Sequence, residues 1–186
     1  MMSMDLFEAV NGRRSIRSYL DKPVEGGAIG KLLTAAAYAP SAMNSQQWRF
    51  TVIENRQQIQ RLSDEAKKNL GLLGRGLELA EVIASKEDTI FYSAPLLIII
   101  SAKKDDKWAK VDCGLAAQNM MLAAYGMGLG SCYIGLANGL NKDRSLVKGL
   151  GIPDDHEIIA PIIFGYPKKG FVKIKERKAQ ILKWIK

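Results

Sequence analysis

The sequence contains few cysteines and histidines, the residues that form disulfides and most often bind transition metals. It has two cysteines, Cys113 and Cys132, and a single histidine, His156. Two thiols do not make a disulfide scaffold, and they cannot supply the four thiolates of an iron–sulfur cluster or of the usual structural zinc site. Free thiols favour a reducing compartment, so we expect a cytoplasmic protein. His156 follows Pro-Asp-Asp and is expected in a surface turn.

The sequence also lacks a long apolar run. Its first 14 residues place acids before bases without an apolar block, which is not the pattern of a secretory signal. A membrane helix needs about 20 predominantly apolar residues. Residues 113–141 carry no charge, but they are interrupted by Gln118, Asn119 and glycines at positions 126, 128, 130, 135 and 139. We therefore expect a buried helix followed by a glycine-rich loop, and no membrane contact.

The net charge of +8 is unevenly distributed along the chain. Residues 168–186 carry a net charge of +7, and the preceding 167 residues carry only +1. A nucleic-acid-binding protein more often spreads its basic residues over a folded face and interleaves aromatic residues among them. The pattern indicates a nearly neutral domain with a cationic tail, and we expect no nucleic-acid partner.

The composition, 47% hydrophobic and 25% charged over 186 residues, is that of a globular protein. No internal repeat or linker divides the chain, so we expect one domain over residues 1–186. Hydrophobic periodicity predicts helices at 5–11, 29–38, 56–68, 72–85 and 110–125, strands at 48–54, 95–102 and 158–165, and an edge strand or arm at 172–175. Because helices and strands do not alternate regularly, we predict an α+β fold with helices on the faces of one sheet.

The glycine-rich segments do not complete a nucleotide-binding motif. Gly128 and Gly130 are followed by Tyr133 where the dinucleotide fingerprint needs glycine or alanine. Gly130 and Gly135 have the spacing of a phosphate loop, but Leu136 replaces its lysine. No segment resembles a nucleophile elbow, so hydrolytic chemistry is not indicated.

A group of cations follows the first predicted helix. The run from Arg13 to Arg17 places three guanidiniums and one hydroxyl within five residues, and arginine forks bind phosphate oxygens bidentately. In an extended segment Arg13, Ser15 and Arg17 would project to one side. Taken alone, the run predicts either an anion site or a solvated basic turn.

A polar loop between a helix and a strand is the second chemical feature. Residues 39–50 read APSAMNSQQWRF, and their hydroxyl and amide groups suit a polar heterocycle or a polyol. The two segments together resemble the nitroreductase-like flavoprotein family, whose members carry an RRSIR-type motif and a PSxxNxQPW-type loop. The resemblance continues through DCGLAAQNMMLAA at 112–124, GLGSCYIG at 128–135 and GYP at 165–167.

The resemblance implies an FMN-dependent oxidoreductase that is an obligate homodimer with two flavins at the subunit interface. It implies a three-layer α+β fold with a mixed or antiparallel central sheet, flanking helices and a C-terminal arm that extends onto the partner. NADH or NADPH would reduce the flavin at N5, and ping-pong transfer would pass hydride to a small aromatic or quinone-type acceptor. No side chain is needed as a nucleophile or base, because the cofactor carries the chemistry.

Flavin-binding roles for the N-terminal motif also follow from the resemblance. Arg13, Ser15 and Arg17 would hold the FMN phosphate, the ribityl chain and the pyrimidine edge of the ring. Arg14 would share the phosphate. A cation near the N1–C2=O edge stabilises the anionic reduced flavin, and Arg17 is the candidate for that role.

The resemblance assigns further contacts to later segments. The partner chain would supply Pro40, Ser41, Ala42 and Asn44, although Gln47 stands where the family has proline. The dimethylbenzene and N5 region would be covered, with backbone N–H groups as donors, by Cys132, Tyr133, Ile134 and Gly135. Arg177 best matches the family's late phosphate-binding residue, and Lys168 or Lys169 is the alternative.

The resemblance also bears on the end of the chain and on its middle region. The apolar residues Ile181, Leu182, Trp184 and Ile185 need a surface to bury against, and the resemblance implies that the partner provides it. Residues 70–88 would form only a small helical lid. Two functional alternatives stay open: a relative specialised in fragmenting flavin, removing halogen or dehydrogenating its substrate, and a flavin-binding sensor without turnover.

Overall fold

The computed structural model describes residues 5–71, 77–85, 87–172 and 177–186. In these ranges the helices are α1 (Leu6–Gly12), α2 (Gly26–Ala37), α3 (Arg56–Gly71), α4 (Leu77–Ala84), α5 (Ala109–Gly126) and α6 (Arg144–Gly149). The strands are β1 (Arg49–Ile53), β2 (Leu96–Lys103), β3 (Gly130–Tyr133) and β4 (His156–Gly165). Short 3₁₀ helices cover Ala42–Asn44 and Gly135–Lys142.

The four strands form one antiparallel sheet in the order β1-β2-β4-β3. Strand β2 alternates between two cores because successive side chains point to opposite faces. Ile98 and Ile100 pack against α2 and α5, whereas Leu97 and Ile99 pack towards α3 and the Gly135–Lys142 helix. Helices therefore cover both faces, and the predicted α+β class with an antiparallel sheet is confirmed.

Helix α5 packs against one face of the sheet, as expected for a long apolar helix. On one face of the helix, the side chains of Cys113 and Met120 are fully buried. The sequence predicted a buried helix that includes Cys113. The opposite face nevertheless leaves Val111 and Leu115 more than 40% exposed. These two residues are four positions apart and so share one face of the helix. Contiguous exposed apolar surface is a feature of sites that bind other chains.

The glycine-rich loop predicted after α5 is partly wrong, because it contains β3 and a 3₁₀ helix. Strand β3 pairs with β4 from Gly130 to Tyr133, so tertiary pairing overrides the weak local preference of Gly-Ser-Cys-Tyr for a strand. Gly130 is required by close packing, since a Cβ there would lie 2.8 Å from the side chain of Ile16.

The prediction of a surface turn at His156 is wrong. The residue begins β4, pairs with Lys103 of β2, and is only 7% exposed. Its Nδ1 lies 2.8 Å from Asp155 Oδ1, and this hydrogen bond lowers the pKa of the exposed Asp155 carboxyl. Strand β4 extends beyond its apolar core because β2 continues opposite it.

The other predicted elements differ at their ends. Helix α2 begins three residues before its predicted start, at the two glycines 26 and 27. Residues 77–84 of the helix predicted over 72–85 are helical, and its first five residues lie outside the described ranges. Three residues of the arm predicted at 172–175 also lie outside them. Among the described helices, none is both long and apolar enough to cross a membrane.

Candidate functional site

The segment that contains the arginine run extends the edge of the sheet beside β3. Ser15 forms a parallel bridge with Ser131, and the Ile16 N–H donates to Ser131 O over 3.0 Å. Further along, Tyr19 bridges Pro167. These bonds hold the backbone extended, so alternate side chains project in the same direction.

A cationic cluster is formed by four arginines, three from this segment and one from the C-terminal tail: Arg13, Arg14, Arg17 and Arg177. Burial lowers the pKa of Arg13, and the positive charges of Arg14 and Arg177 lower it further. Within the described residues, none of Arg13, Arg14, Arg17 and Arg177 forms an ion pair with a carboxylate. A concentration of like charge without a counterion favours binding of an anion.

The Cys132 thiol lies in the middle of this group. Its side chain is buried, and burial raises its pKa. The charges of Arg17 and Arg13 and hydrogen bonding by Ser15 and Arg17 act in the opposite direction. The structure thus brings together three residues of the N-terminal motif and one residue of the glycine-rich segment, which lie more than 110 positions apart.

An open cleft of about 510 Å³ continues from Arg17. Lys168 also lines it, whereas Lys169 is exposed on the following turn. The Arg17 guanidinium carbon lies 5.9 Å from the centroid of the Tyr92 ring, within the range of a cation–π contact. Tyr19 lines the inner wall, where burial raises the pKa of its hydroxyl and that hydroxyl donates to Ile16 O over 2.5 Å.

The turn that carries Tyr92 is fastened by two charged side chains. The buried Asp88 carboxylate accepts hydrogen bonds from the N–H groups of Ile90, Phe91 and Ser93, over 3.2, 2.7 and 3.0 Å. The Lys67 ammonium, on α3, donates to the carbonyls of Ser85 and Glu87. Tyr92 and Ser93 adopt φ angles of 54° and 52°, a region that costs a non-glycine residue about 1–2 kcal/mol.

The polar loop at 40–46 lies at the first turn of α5. The backbone N–H of Ala42 donates to both carboxylate oxygens of Asp112 over 3.2 Å. Asn44 Oδ1 accepts from Gln46 Nε2 over 2.7 Å, and Ser41 Oγ accepts from the Gln46 N–H over 3.1 Å. Pro40 and Asn44 are exposed and Ser41 is half-buried.

The two motif segments occupy opposite ends of α5 in one chain. Gly12 and Arg14 lie against Tyr125, near the end of the helix, whereas the polar loop is bonded to Asp112 near its start. Thirteen residues of α-helix separate these two points by about 20 Å. The structure therefore does not bring Arg17 and Asn44 of the same chain together.

Tyr133, Ile134 and Gly135 follow Cys132 but are partly committed to the fold. The Tyr133 hydroxyl donates to Ile159 O over 2.5 Å, and the Ile134 N–H donates to Pro161 O over 2.8 Å. The prediction that this segment offers its N–H groups to a ligand is therefore wrong for Ile134. Gly135 is exposed at the start of the 3₁₀ helix.

Sequence reasoning missed four residues that shape these segments: Lys67, Asp88, Tyr92 and Asp112. Asp88 had a local signal, because an aspartate whose carboxylate accepts hydrogen bonds from N–H groups two and three residues later is a capping pattern. Asp112 had none, since it lies 70 residues from Ala42. A buried lysine bonded to carbonyls, such as Lys67, is also defined only by tertiary packing.

Known proteins show a consistent similarity to this chain. The family model described as nitroreductase family matches residues 10–166. The crystal structure of a nitroreductase from Bacteroides fragilis, which contains bound FMN, has a TM-score of 0.89 to this structure and 30% sequence identity, with 99% of this chain and 100% of that chain covered.

Two sequence relatives agree with that match. An Archaeoglobus fulgidus protein, provisionally named NADH dehydrogenase/NAD(P)H nitroreductase, is 31% identical over 167 residues, covering 89% of this chain and 88% of its own. The nitrobenzene nitroreductase of Ectopseudomonas oleovorans is 28% identical, covering 86% and 85% of the two chains. The residues that the family model matches include both motif segments and β3.

Proposed function

Since this chain belongs to the nitroreductase family, we propose that it is an FMN-dependent oxidoreductase that uses NADH or NADPH. The observation that carries the proposal is the cationic cluster of Arg13, Arg14, Arg17 and Arg177, which has no carboxylate partner within the described residues. Such a cluster needs a compact anion. The FMN phosphate supplies about two negative charges and several acceptor oxygens.

The remaining donors of the site fit the same cofactor. Arg14 Nε is buried and has no hydrogen-bond partner among the described residues, so it is available to an acceptor. A buried unpaired donor costs about 1–3 kcal/mol, and a phosphate oxygen would relieve that cost. Arg13, Arg14 and Arg177 are therefore assigned to the phosphate, and Ser15 to the ribityl hydroxyls.

Arg17 is assigned to the pyrimidine edge of the ring. When bound, FMN supplies reversible hydride chemistry at N5, taking electrons from the nicotinamide and giving them to an acceptor. Arg17 places a fixed positive charge at one end of the cleft, and the Tyr92 ring restricts its position. A preorganised charge of this kind stabilises negative charge that develops on a bound ring.

We propose that two copies of the chain complete each site. The separation of about 20 Å along α5 prevents Asn44 from reaching the flavin held by Arg17 of its own chain, so the loop at 40–46 would contact the flavin of the partner. Exposed apolar side chains support a large interface, in particular those of Leu6, Phe7, Val10, Val111, Leu115, Ile181, Leu182, Trp184 and Ile185. Burying them against a second copy is favourable by about 25 cal/mol per Å².

The proposed acceptor is a small planar molecule of the nitroaromatic or quinone type. The name of the Ectopseudomonas oleovorans relative specifies nitrobenzene, and the cleft beside Arg17 is open to solvent. No nucleophile or base is required of the chain for this chemistry. The free thiols of Cys113 and Cys132 support a cytoplasmic location, which has a reducing environment.

Steady-state oxidation of NADH and NADPH by the FMN-loaded protein tests this function. With benzoquinone or nitrobenzene as acceptor, we expect turnover and parallel double-reciprocal lines, because the two substrates use one flavin in turn. Protein that binds FMN but gives no turnover with any acceptor would favour a sensor. Intersecting lines would contradict alternate use of the same ring face.

A further inference from the structure

We propose that Asp112 is a positioning residue for the flavin site of the partner subunit. The inference rests on the proposed function and deepens it, because it identifies the group that gives the loop at 40–46 its shape. Within the described ranges, Asp112 forms no hydrogen bond or ion pair with the cationic cluster of its own chain. Its effect would therefore appear only at the flavin bound by the other chain.

The Asp112 carboxylate is dedicated to this loop. It is 3% exposed, and both of its oxygens lie 3.2 Å from the Ala42 nitrogen. Within the described residues, the Ala42 N–H is its only hydrogen-bond donor. A carboxylate is costly to bury unless it is bonded, so this one contact fixes where the loop begins.

The loop needs such an anchor because its backbone is strained. Met43, Asn44 and Gln46 have φ angles of 49°, 54° and 47°. L-residues avoid this left-handed region for steric reasons, and a run of such residues persists only where its surroundings enforce it. Local bonds among Ser41, Asn44 and Gln46 close the loop on itself, and Arg49 Nη1 of β1 donates to Gln46 O at its end over 3.3 Å. Asp112 ties the beginning of the loop to α5.

Asn44 lies two residues beyond the anchored nitrogen, on the exposed side of the loop. Loss of the Asp112 carboxylate would release Ala42 and let the following residues leave their left-handed conformation. Asn44 would then no longer be held where a second chain can use it. The cationic cluster, about 20 Å away along α5, would keep its geometry.

Mixed dimers test this assignment. Two differently tagged chains are refolded together, the mixed dimers are purified through both tags, and bound FMN is counted per dimer. The FMN concentration is set to saturate the wild-type dimer and to leave the Arg17→Ala and Asn44→Ala homodimers empty, and the Asp112→Ala homodimer should then be empty as well. Asp112→Ala paired with Arg17→Ala should retain one FMN, since one site receives an intact cluster and an intact loop. Asp112→Ala paired with Asn44→Ala should retain none, because each site then has one damaged loop.

Two further variants separate positioning from a general loss of fold. Asp112→Asn keeps one carbonyl acceptor for Ala42 and should restore at least half of the FMN lost in Asp112→Ala. Asn119→Ala removes another bond from α5, the one from Asn119 Nδ2 to Ala35 O at 3.1 Å, and should leave two FMN per dimer.

The opposite pattern overturns the inference. One FMN in the pair of Asp112→Ala with Asn44→Ala would place Asp112 outside the loop's function. None in the pair with Arg17→Ala would do the same, provided that the reference pair of Arg17→Ala with Asn44→Ala retains one. An empty reference pair would instead contradict the shared site of the proposed function, and the role of Asp112 with it.

Discussion

Within the part of the chain that the structure describes, two segments contain non-glycine residues with positive φ, and a buried aspartate holds each of them. In the turn at 88–93 the anchor is Asp88, which binds N–H groups two, three and five residues away. In the loop at 40–46 the anchor is Asp112, 70 residues away on α5. The first anchor is part of the segment that it shapes, and the second belongs to a different element.

The difference bears on how each segment serves the site. The turn at 88–93 carries Tyr92, which contacts Arg17 of the same chain, so its anchor and its target belong to one unit. The loop at 40–46 lies at the other end of α5 from the cationic cluster of its own chain, and its anchor, Asp112, belongs to that helix. In the proposed dimer, helix α5 thereby fixes the distance between the part of the chain that would bind one flavin and the part that would reach the other.

The largest expected effect comes from removing the local anchor. Asp88→Ala leaves three N–H groups without their acceptor, and each buried unpaired donor costs about 1–3 kcal/mol. We expect the free energy of unfolding, measured by urea denaturation, to fall by about 3–5 kcal/mol. Asp112→Ala should cost less, since only the N–H of Ala42 loses its partner.

The exposed Asp105 provides the control for this measurement. Asp105→Ala should change the free energy of unfolding by less than about 0.5 kcal/mol. Equal destabilisation by Asp112→Ala and Asp88→Ala would contradict the expected difference between an aspartate that binds three N–H groups and one that binds a single N–H group.

The next largest effect is expected on FMN affinity, and it compares an arginine of the cationic cluster with an arginine elsewhere on the surface. Arg17→Ala should weaken FMN binding by about ten- to a hundred-fold, because a charge-assisted contact contributes about 1.5–3 kcal/mol. Fluorescence titration measures this change. Arg61→Ala, which removes an exposed arginine on α3, should leave the affinity within two-fold. Equal affinities for wild type and Arg17→Ala would remove Arg17 from the site.

The smallest expected effect concerns the two buried thiols. Cys113 follows Asp112 on α5, and Cys132 lies beside Arg13 and Arg17 of the cationic cluster. Burial, aided by Asp112 and Asp106, raises the pKa of Cys113 to about 12. At Cys132 burial also raises the pKa, but Arg17, Ser15 and Arg13 oppose it. A thiol in the unfolded chain ionises near pH 8.5, so each raised pKa removes stability as the pH rises above that value.

The two cysteine variants should therefore differ in alkaline solution. Between pH 9 and 10, Cys113→Ala should lose about 1 kcal/mol less stability than the wild type. The stability of Cys132→Ala should differ less from that of the wild type, because Arg13 and Arg17 oppose the rise in the pKa of the Cys132 thiol. Urea denaturation at the two pH values measures both. A larger difference from the wild type for Cys132→Ala than for Cys113→Ala would mean that the arginines do not act on the Cys132 thiol.

Sequence predicted most of the elements because their signals are local. The apolar run at 95–102 and the long apolar helix at 110–125 became β2 and α5 with shifts of one residue at each end. Strand β3 was missed because Gly130 and Ser131 have weak strand preference and depend on β4. His156 was misplaced for the same reason, since only the opposing end of β2 extends the sheet to it.

The candidate site was predictable only in part. Arg13, Ser15 and Arg17 alternate along the chain, and the structure gathers them around Cys132, a residue that the motif order had already linked to them. The contacts of Tyr92 with Arg17 and of Asp112 with Ala42 join residues 75 and 70 positions apart. No periodicity in a single sequence encodes such pairs, because they depend on how finished elements pack.

The visible absorption spectrum of the purified protein, recorded anaerobically before and after NADH or NADPH is added, tests the central claim most directly. The account predicts bound flavin, with bands that bleach when reduced nicotinamide is supplied. A protein that stays colourless after incubation with FMN and gel filtration would contradict the site built on Arg13, Arg17 and Arg177. Bound flavin that neither nucleotide bleaches would contradict the proposed oxidoreductase while leaving the binding site intact.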